Sequence, residues 1–285
     1  MSDYTGWTDN QGRPHGYKNV DGKPRVASTP YGYDVADGNL AGHAAQDITA
    51  EVNAATGVWT DLWGGAPTIP VCPVLSTAVQ MEVVSSSAQD AVGGSGIASL
   101  KILCLTSTGA YQVLNPTLTG TTPVALGLVL HVNAAYCFTR GTAGTTDAVA
   151  AGNISIRLVG GAATVYSYIP LGRTYDPRFV FRVPVGMCGF LSDIIGSVTA
   201  LSNNNTAQLQ LVSNTGLSDG ALTSVGLWVP KMTIQGGQGG LAMGQPLAVP
   251  HKFCAGAIVK ARCRRVSGAG LADAQITGLG WIEEV

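Results

Sequence analysis

The segment 79–105 constrains the fold more than any other part of the chain. Its first residues, VQMEV, alternate apolar and polar side chains, and after a loop of small residues the run ASLKILC alternates in the same way. A period of two is typical of half-buried β-strands. Two such strands joined by a loop predict an antiparallel pair with one face toward a core.

Short strand patterns separated by turn signals continue to the C-terminus. They form two sets of similar rhythm, which predict tandem antiparallel β-sandwiches, jelly-roll-like, at 70–170 and 171–285. The predicted strands beyond the first pair are 111–118, 124–132, 135–139, 153–159 and 163–169 in the first sandwich, and 178–185, 188–195, 208–213, 227–234, 257–266 and 275–284 in the second.

The composition also favours strands over long helices. Only 12% of the residues are charged, against about 25% in an average soluble domain, and long amphipathic helices need charged residues on their solvent face. The formal net charge of -1 gives no field that would attract nucleic acid or an anionic membrane. No apolar run approaches the ~18 residues of a membrane helix, and the polar N-terminus shows no signal peptide.

Residues 1–69 lack sustained periodicity and are interpreted as an extended N-terminal arm. One segment, 43–55, places Ala44, Ile48 and Val52 on one side of a helix, and it is the only helix candidate in the sequence. Turn signals such as DNQG, DGKP and TPYG divide the rest of this region.

Aromatic residues are concentrated in this arm, whereas disordered tails are depleted in them. We therefore expect the rings to fill pockets on a partner subunit. The alternative is a leader in which Trp59 and Trp63 pack on their own domain. The candidate partner-binding residues of the arm are Trp7, Tyr31, Tyr33, Trp59 and Trp63.

A stripe of cations forms the second candidate surface. Lys260, Arg262 and Arg264 alternate with small or apolar residues, so a strand would place all three on one face. The face is either solvated, with charges that discourage edge pairing, or a docking face for an acidic subunit or for packaged DNA. No aromatic residues are interleaved, so stacking on single-stranded nucleic acid is not predicted.

The sequence contains no motif that is typical of catalysis, metal binding or cofactor binding. The glycines at 236–240 lack the order of a phosphate-binding loop, the four histidines are isolated in sequence, and there is no nucleophile elbow. The six cysteines form no CxxC pair and several lie in strand patterns, where they act as small apolar residues. Six of the thirteen aspartates lie beside Gly, Ser or Pro, which predicts turn residues that hydrogen-bond the backbone. The prediction is a protein that is not an enzyme, with no metal and no cofactor.

Four motifs occur in a fixed order: EVVSSSAQD with GGSG at 82–96, LTGTTPV at 118–124, LHVNAAY at 130–136 and FRVPVGMCGFL at 181–191. In this order they resemble a family of virion structural proteins of tailed bacteriophages and some large algal viruses. His131 stands where that family usually has Arg. The resemblance extends from about residue 54 to the C-terminus, and its motifs are turn and strand signatures.

The resemblance implies a virion structural protein that is synthesised in the host cytoplasm. The leading hypothesis is a capsid decoration (cement) protein, a homotrimer that binds the major capsid protein through its arm and its sandwich surfaces. The alternative is a tail, baseplate or fibre component that binds a host surface glycan.

Overall fold

The protein is built from β-strands throughout the part of the chain that the structure describes. The computed structural model describes residues 4–8, 14–20, 23–25, 43–54, 59–62, 75–144, 149–200, 206–214, 229–236, 241–266 and 272–284. No helix occurs in these ranges, and the strands form antiparallel sheets. The predicted all-β sandwich class is therefore confirmed.

The chain divides into two compact units, Met1–Ala45 and Gln46–Val285. The first unit contains a three-stranded antiparallel sheet of β1 (Tyr4–Thr8), β2 (Pro14–Val20) and β3 (Lys23–Arg25), in the order β1-β2-β3.

The strands from β4 onward form the remaining sheets. In chain order they are β4 (His43–Ala54), β5 (Thr60–Asp61), β6 (Val79–Ser85), β7 (Ile97–Leu105), β8 (Tyr111–Leu114), β9 (Val124–Val129), β10 (His131–Arg140), β11 (Ile154–Leu158), β12 (Gly161–Ile169), β13 (Val180–Arg182), β14 (Met187–Ala200), β15 (Ala207–Ser213), β16 (Val229–Gly236), β17 (Leu241–Phe253), β18 (Ile258–Arg265) and β19 (Ala272–Glu284).

Strands β6 to β12 form the first sandwich. One sheet has the order β12-β11-β6-β9 and the other has the order β10-β7-β8. The chain crosses between the sheets after β6, β8, β9 and β10, as it does in Greek-key and jelly-roll sandwiches. Strands that are adjacent in sequence therefore often face each other across the core.

The inward-facing residues of both sheets form one apolar core. Met81 and Val83 of β6 lie in the same buried cluster as Leu100 and Ile102 of β7, and all four are at most 1% exposed. Burial of one such side chain stabilises the fold by about 1.5–3 kcal/mol. The alternation that predicted these two strands therefore also selects the residues of the core.

The second sandwich contains two larger sheets. One has the order β13-β18-β15-β16, with β5 also paired to β18, and the other has the order β17-β14-β19-β4. The sheets approach closely at Gly196 of β14, where a Cβ would lie 2.8 Å from Ile234 and 3.0 Å from Leu209. A larger residue at this point would have to displace the ends of the Ile234 and Leu209 side chains.

The helix candidate at 43–55 is not borne out, since residues His43–Ala54 form strand β4. The apolar positions 44, 48 and 52 that suggested a helix are all even, so they also share one face of a strand. The pairing of β4 with β19 stabilises the strand rather than the helix at these residues. Together β4 and β5 contribute two strands to the second sandwich, although both come from the segment interpreted as an arm.

Strand β17 was not predicted from the sequence, and it contains Pro246 and Pro250. It lies at the edge of its sheet, next to β14. Proline is tolerated in edge strands because one side of such a strand makes no ladder hydrogen bonds.

A buried carboxylate ties together the loops at one end of the first sandwich. Asp90 is 0% exposed. It accepts hydrogen bonds from the Ser85 hydroxyl at 2.5 Å and from the backbone N–H groups of Ile97, Ala151 and Gly152, each at 2.9 Å. This matches the interpretation of turn aspartates as backbone acceptors. The carboxylate fixes the start of β7 and the approach to β11 relative to the end of β6.

The glycines and the second motif fit around this carboxylate. A Cβ at Gly96 would lie 2.2 Å from Asp90 Oδ1, so the site requires glycine there. Gly120 of the LTGTTPV motif donates its N–H to the Asp90 carbonyl at 2.8 Å and accepts a bond from the Ser85 N–H at 3.1 Å. The first two motifs of the sequence therefore meet at one residue.

Replacing Asp90 by Asn tests this assignment. The substitution directs an NH2 group at backbone N–H donors, and a buried donor without an acceptor costs about 1–3 kcal/mol, more where the lost acceptor was charged. We expect D90N to lose about 3 kcal/mol of unfolding free energy in urea, followed by far-UV circular dichroism. The exposed Gln112→Ala on β8 is the control and should cost less than about 0.5 kcal/mol. Equal losses for the two variants would contradict the role of Asp90.

Candidate partner-binding face

The predicted stripe of cations lies on one face of β18. Strand β18 pairs with β15 on one side and with β13 and β5 on the other. Lys260, Arg262 and Arg264 are half-buried, whereas the alternating Ala261 and Cys263 are buried in the sandwich. The cations therefore lie on the outer face of the sheet, as the alternation predicted.

Side chains of neighbouring strands hold each cation in place. Lys260 Nζ lies 2.8 Å from Asp61 Oδ2 of β5. Arg262 donates from Nε and Nη2 to Gln210 Oε1 at 3.2 and 3.0 Å. Arg264 makes the same pair of bonds to Gln208 Oε1, at 3.0 and 2.9 Å. The result is a ladder of two arginines and two glutamines across β18 and β15.

Trp59 packs directly against the two arginines. Its ring centroid lies 4.6 Å from Cζ of Arg262 and 4.5 Å from Cζ of Arg264. A guanidinium within about 6 Å of an aromatic ring is attracted to it, by roughly 0.5–1 kcal/mol at exposed sites. The position of Trp59 follows from β5, because Thr60 and Asp61 pair with Cys263 and Arg262.

The face carries an excess of positive charge. Burial lowers the pKa of Arg262, Arg264 lowers it further, and Asp61 opposes the shift. An arginine stays charged at neutral pH because its ordinary pKa exceeds 12. Within the described ranges, Asp61 pairs with Lys260, and no carboxylate pairs with either arginine.

The remaining candidate residues are placed as follows. Trp7 lies on β1, opposite His15 of β2. Tyr31, Tyr33 and Trp63 lie outside the described residues. The structure therefore brings together four of the eight candidates, Trp59 with the three cations of β18. Their role in binding a partner stays a prediction.

Sequence reasoning missed three residues of this face: Gln208, Gln210 and Asp61. The first two alternate in the run QLQLVS, which is the same period-two signal that located the cations. That signal could have marked the outer face of β15. The pairing of Asp61 with Lys260 joins residues 199 positions apart, and no local pattern reports such a contact.

A buried polar cluster joins the first sandwich to the chain that follows it. Arg178 Nε lies 2.7 Å from Asp176 Oδ2, and both side chains are 1% exposed. Ser167 donates to the same carboxylate at 2.6 Å, and Arg178 also donates to the carbonyl oxygens of Tyr166 and Val132. Burial raises the pKa of Asp176, while the Arg178 and Ser167 contacts lower it. All these partners belong to the fold, so the cluster has a structural role.

The third and fourth motifs also meet in this region. Asn133 of LHVNAAY donates from Nδ2 to the Arg182 carbonyl at 3.0 Å and accepts from the Arg182 N–H at 2.9 Å. The Arg182 side chain reaches the Leu75 carbonyl at 3.0 Å. The two motifs are therefore joined by a pair of side chain–backbone bonds between β10 and β13.

His131 lies at the start of strand β10 and is buried. It is 3% exposed, and its Nε2 has no hydrogen-bond partner among the described residues. Burial lowers its pKa to about 3, with the nearby charges of Arg178 and Arg182 acting in the same direction and a backbone hydrogen bond with Val180 opposing them. The imidazole is therefore neutral at pH 7, beside two guanidinium groups.

Five free cysteines lie in the described part of the chain, and three of them are buried. Cys104, Cys188 and Cys263 are buried, in line with their interpretation as small apolar strand residues. Burial raises the pKa of Cys104 and of Cys137 to about 12, which makes both thiols unreactive at neutral pH. In the same ranges no group of three or more His, Cys, Asp or Glu residues is placed to hold a metal ion, and no helix is long and apolar enough to cross a membrane.

Comparison with known proteins identifies no family. No protein-family model matches the chain, and no curated protein does. A solved structure of the infectious bursal disease virus Gx strain aligns with this chain at 11% identity and a TM-score of 0.15. The alignment covers 85% of this chain and 71% of the viral chain. A similarity at this level carries no argument about fold or function.

The buried state of His131 predicts an acid-dependent loss of stability. A histidine whose folded pKa lies below its unfolded value of about 6.5 leaves stability intact above that pH. Between pH 6.5 and 3 the unfolded chain binds the proton first, so stability falls. We expect His131→Leu to reduce the stability difference between pH 7.5 and pH 4.5 by about 2.5 kcal/mol, measured by urea unfolding at both pH values.

The same substitution at His251, which is half-buried on β17, is the control for the loss of a histidine. An H131L variant whose pH dependence equals that of the unmodified protein would refute the neutral, buried state of His131.

Proposed function

We propose that this chain is a structural protein of a virion, and specifically a capsid decoration protein that binds the head lattice. The proposal starts from the four ordered motifs and their resemblance to virion proteins of tailed bacteriophages. The single observation that supports it best is that these motifs meet pairwise, at Asp90 and at the Asn133–Arg182 pair. The residues that carry the resemblance are thus those that hold the sandwich together, as expected of a similarity in architecture.

The use of polar residues in the fold supports a binding role. The buried groups Asp90, Asp176 and Arg178 are engaged by backbone and side-chain partners. The outer face of β18 is a charged surface whose side chains are held in a defined geometry by hydrogen bonds and an ion pair. In this proposal the protein acts through contact area and charge, with the major capsid protein as its partner and a homotrimer as its assembly.

Binding to particles tests the proposal. Heads that lack the protein are mixed with the full chain, and bound protein is measured after sedimentation. We expect saturable binding with a plateau comparable to the number of capsid subunits. A variant without residues 1–42 keeps β4 and β5, and therefore both sheets of the second sandwich. We expect this variant to fold but to bind at least about tenfold more weakly.

Circular dichroism checks that the shortened chain keeps its strands. Failure of the full chain to bind heads would reject the decoration role. Full binding by the chain without residues 1–42 would keep that role but remove the arm from it.

A further inference from the structure

We propose that the Arg262–Arg264 pair is a docking site for an extended acidic segment of a partner protein, with carboxylates at alternate positions. The identity of that partner as a capsid subunit rests on the proposed function. The chemistry of the site rests on the face of β18 alone.

The first step is charge. Among the side chains that the structure describes on this face, three are cations and one is a carboxylate. Asp61 pairs with Lys260, which leaves the charges of the two arginines. These charges belong to Arg262 and Arg264, which are only half-buried. A chain with a formal net charge of -1 thus concentrates positive charge at one place, and a complementary partner carries negative charge there.

The second step is orientation. The glutamine oxygens occupy Nε and Nη2 of each arginine, so the Nη1 end of each guanidinium makes no hydrogen bond within the described residues. That end can donate to a carboxylate. The Trp59 ring and the glutamines already fix both guanidinium groups, and this reduces the conformational entropy that binding would otherwise cost.

The third step is spacing. Residues two positions apart on a strand are about 6.6 Å apart. An extended partner segment has the same repeat, so its carboxylates at alternate positions would face Arg262 and Arg264 together. Consecutive carboxylates point to opposite sides of a strand, and only one of each pair could reach the site.

The surroundings favour this partner over the other polyanions. Single-stranded nucleic acid binds by stacking its bases on aromatic rings. On this face the Trp59 ring already packs against two guanidinium groups, so it is less able to stack with a base. The neighbouring positions Thr233 and Gln235 of β16 are exposed and polar, and they can form the polar rim that surrounds a protein interface.

Peptide binding to the full-length protein tests the inference. The probe is a fluorescein-labelled decapeptide of alternating Glu and Thr, because Thr favours extended backbone. Its comparison peptide, EETTEETTET, has the same composition and charge but no two Glu that lie two positions apart. By fluorescence anisotropy we expect the alternating peptide to bind about fivefold tighter or more. The Arg262→Gln, Arg264→Gln double variant should weaken its binding by about tenfold or more.

Two further variants complete the design. The control is Arg140→Gln with Arg173→Gln, which removes the same charge from two exposed positions, one on β10 and one in the chain after β12, and binding should stay within about twofold of the unmodified protein. Arg262→Lys with Arg264→Lys keeps the charge but loses the planar fork, so binding should weaken by about threefold or more. If the glutamine variant does not fold, the lysine variant and the two peptides still decide.

Equal binding of the two peptides, or equal binding by the glutamine variant, would overturn the inference. Tighter binding of a ten-residue oligo-dT or of a heparin oligosaccharide would overturn it as well, in favour of a nucleic acid or a glycan. Because no capsid is present in this experiment, its failure is distinguishable from failure of the decoration role.

Discussion

The Asp90 carboxylate is the interaction on which the first sandwich depends. Its two oxygens accept four hydrogen bonds, from residues 5, 7, 61 and 62 positions away in the chain. Apolar packing between the two sheets stabilises a sandwich, but it does not by itself select one arrangement of the loops at its ends. The buried Asp90 carboxylate favours one loop arrangement, because other arrangements would leave it without hydrogen-bond donors. The small residues of the motif follow from the lack of space around it.

The same logic continues where the first sandwich meets the chain that follows. There Asp176 and Arg178 form a buried ion pair, and the Asn133 side chain makes two hydrogen bonds to the backbone of Arg182. A buried ion pair adds little net stability compared with apolar packing, but loss of one partner is costly. These residues thus specify one arrangement of β10 and β13. His131 lies beside them as a neutral group, and acid would place a third positive charge in this cluster.

The sequence predicted what depends on local pattern and missed what depends on distant pairing. Alternation located β6, β7, β15 and β18, and it placed the cations of β18 on one face. It could not choose between helix and strand at 43–55, because a spacing of four residues satisfies both periods. The contacts of Trp59 with the candidate face cross about 200 residues. Such a contact depends on the sheet order, and the sequence alone did not establish that β5 pairs with β18.

The claim that the chain decorates a capsid is tested most directly by its copy number. Quantitative mass spectrometry of purified virions gives the amount of this protein relative to the major capsid protein. The account predicts a number of the same order as the capsid subunit, because a decoration protein follows the head lattice. A number far smaller, as for a neck, tail or fibre component, or absence from the particle, would contradict it.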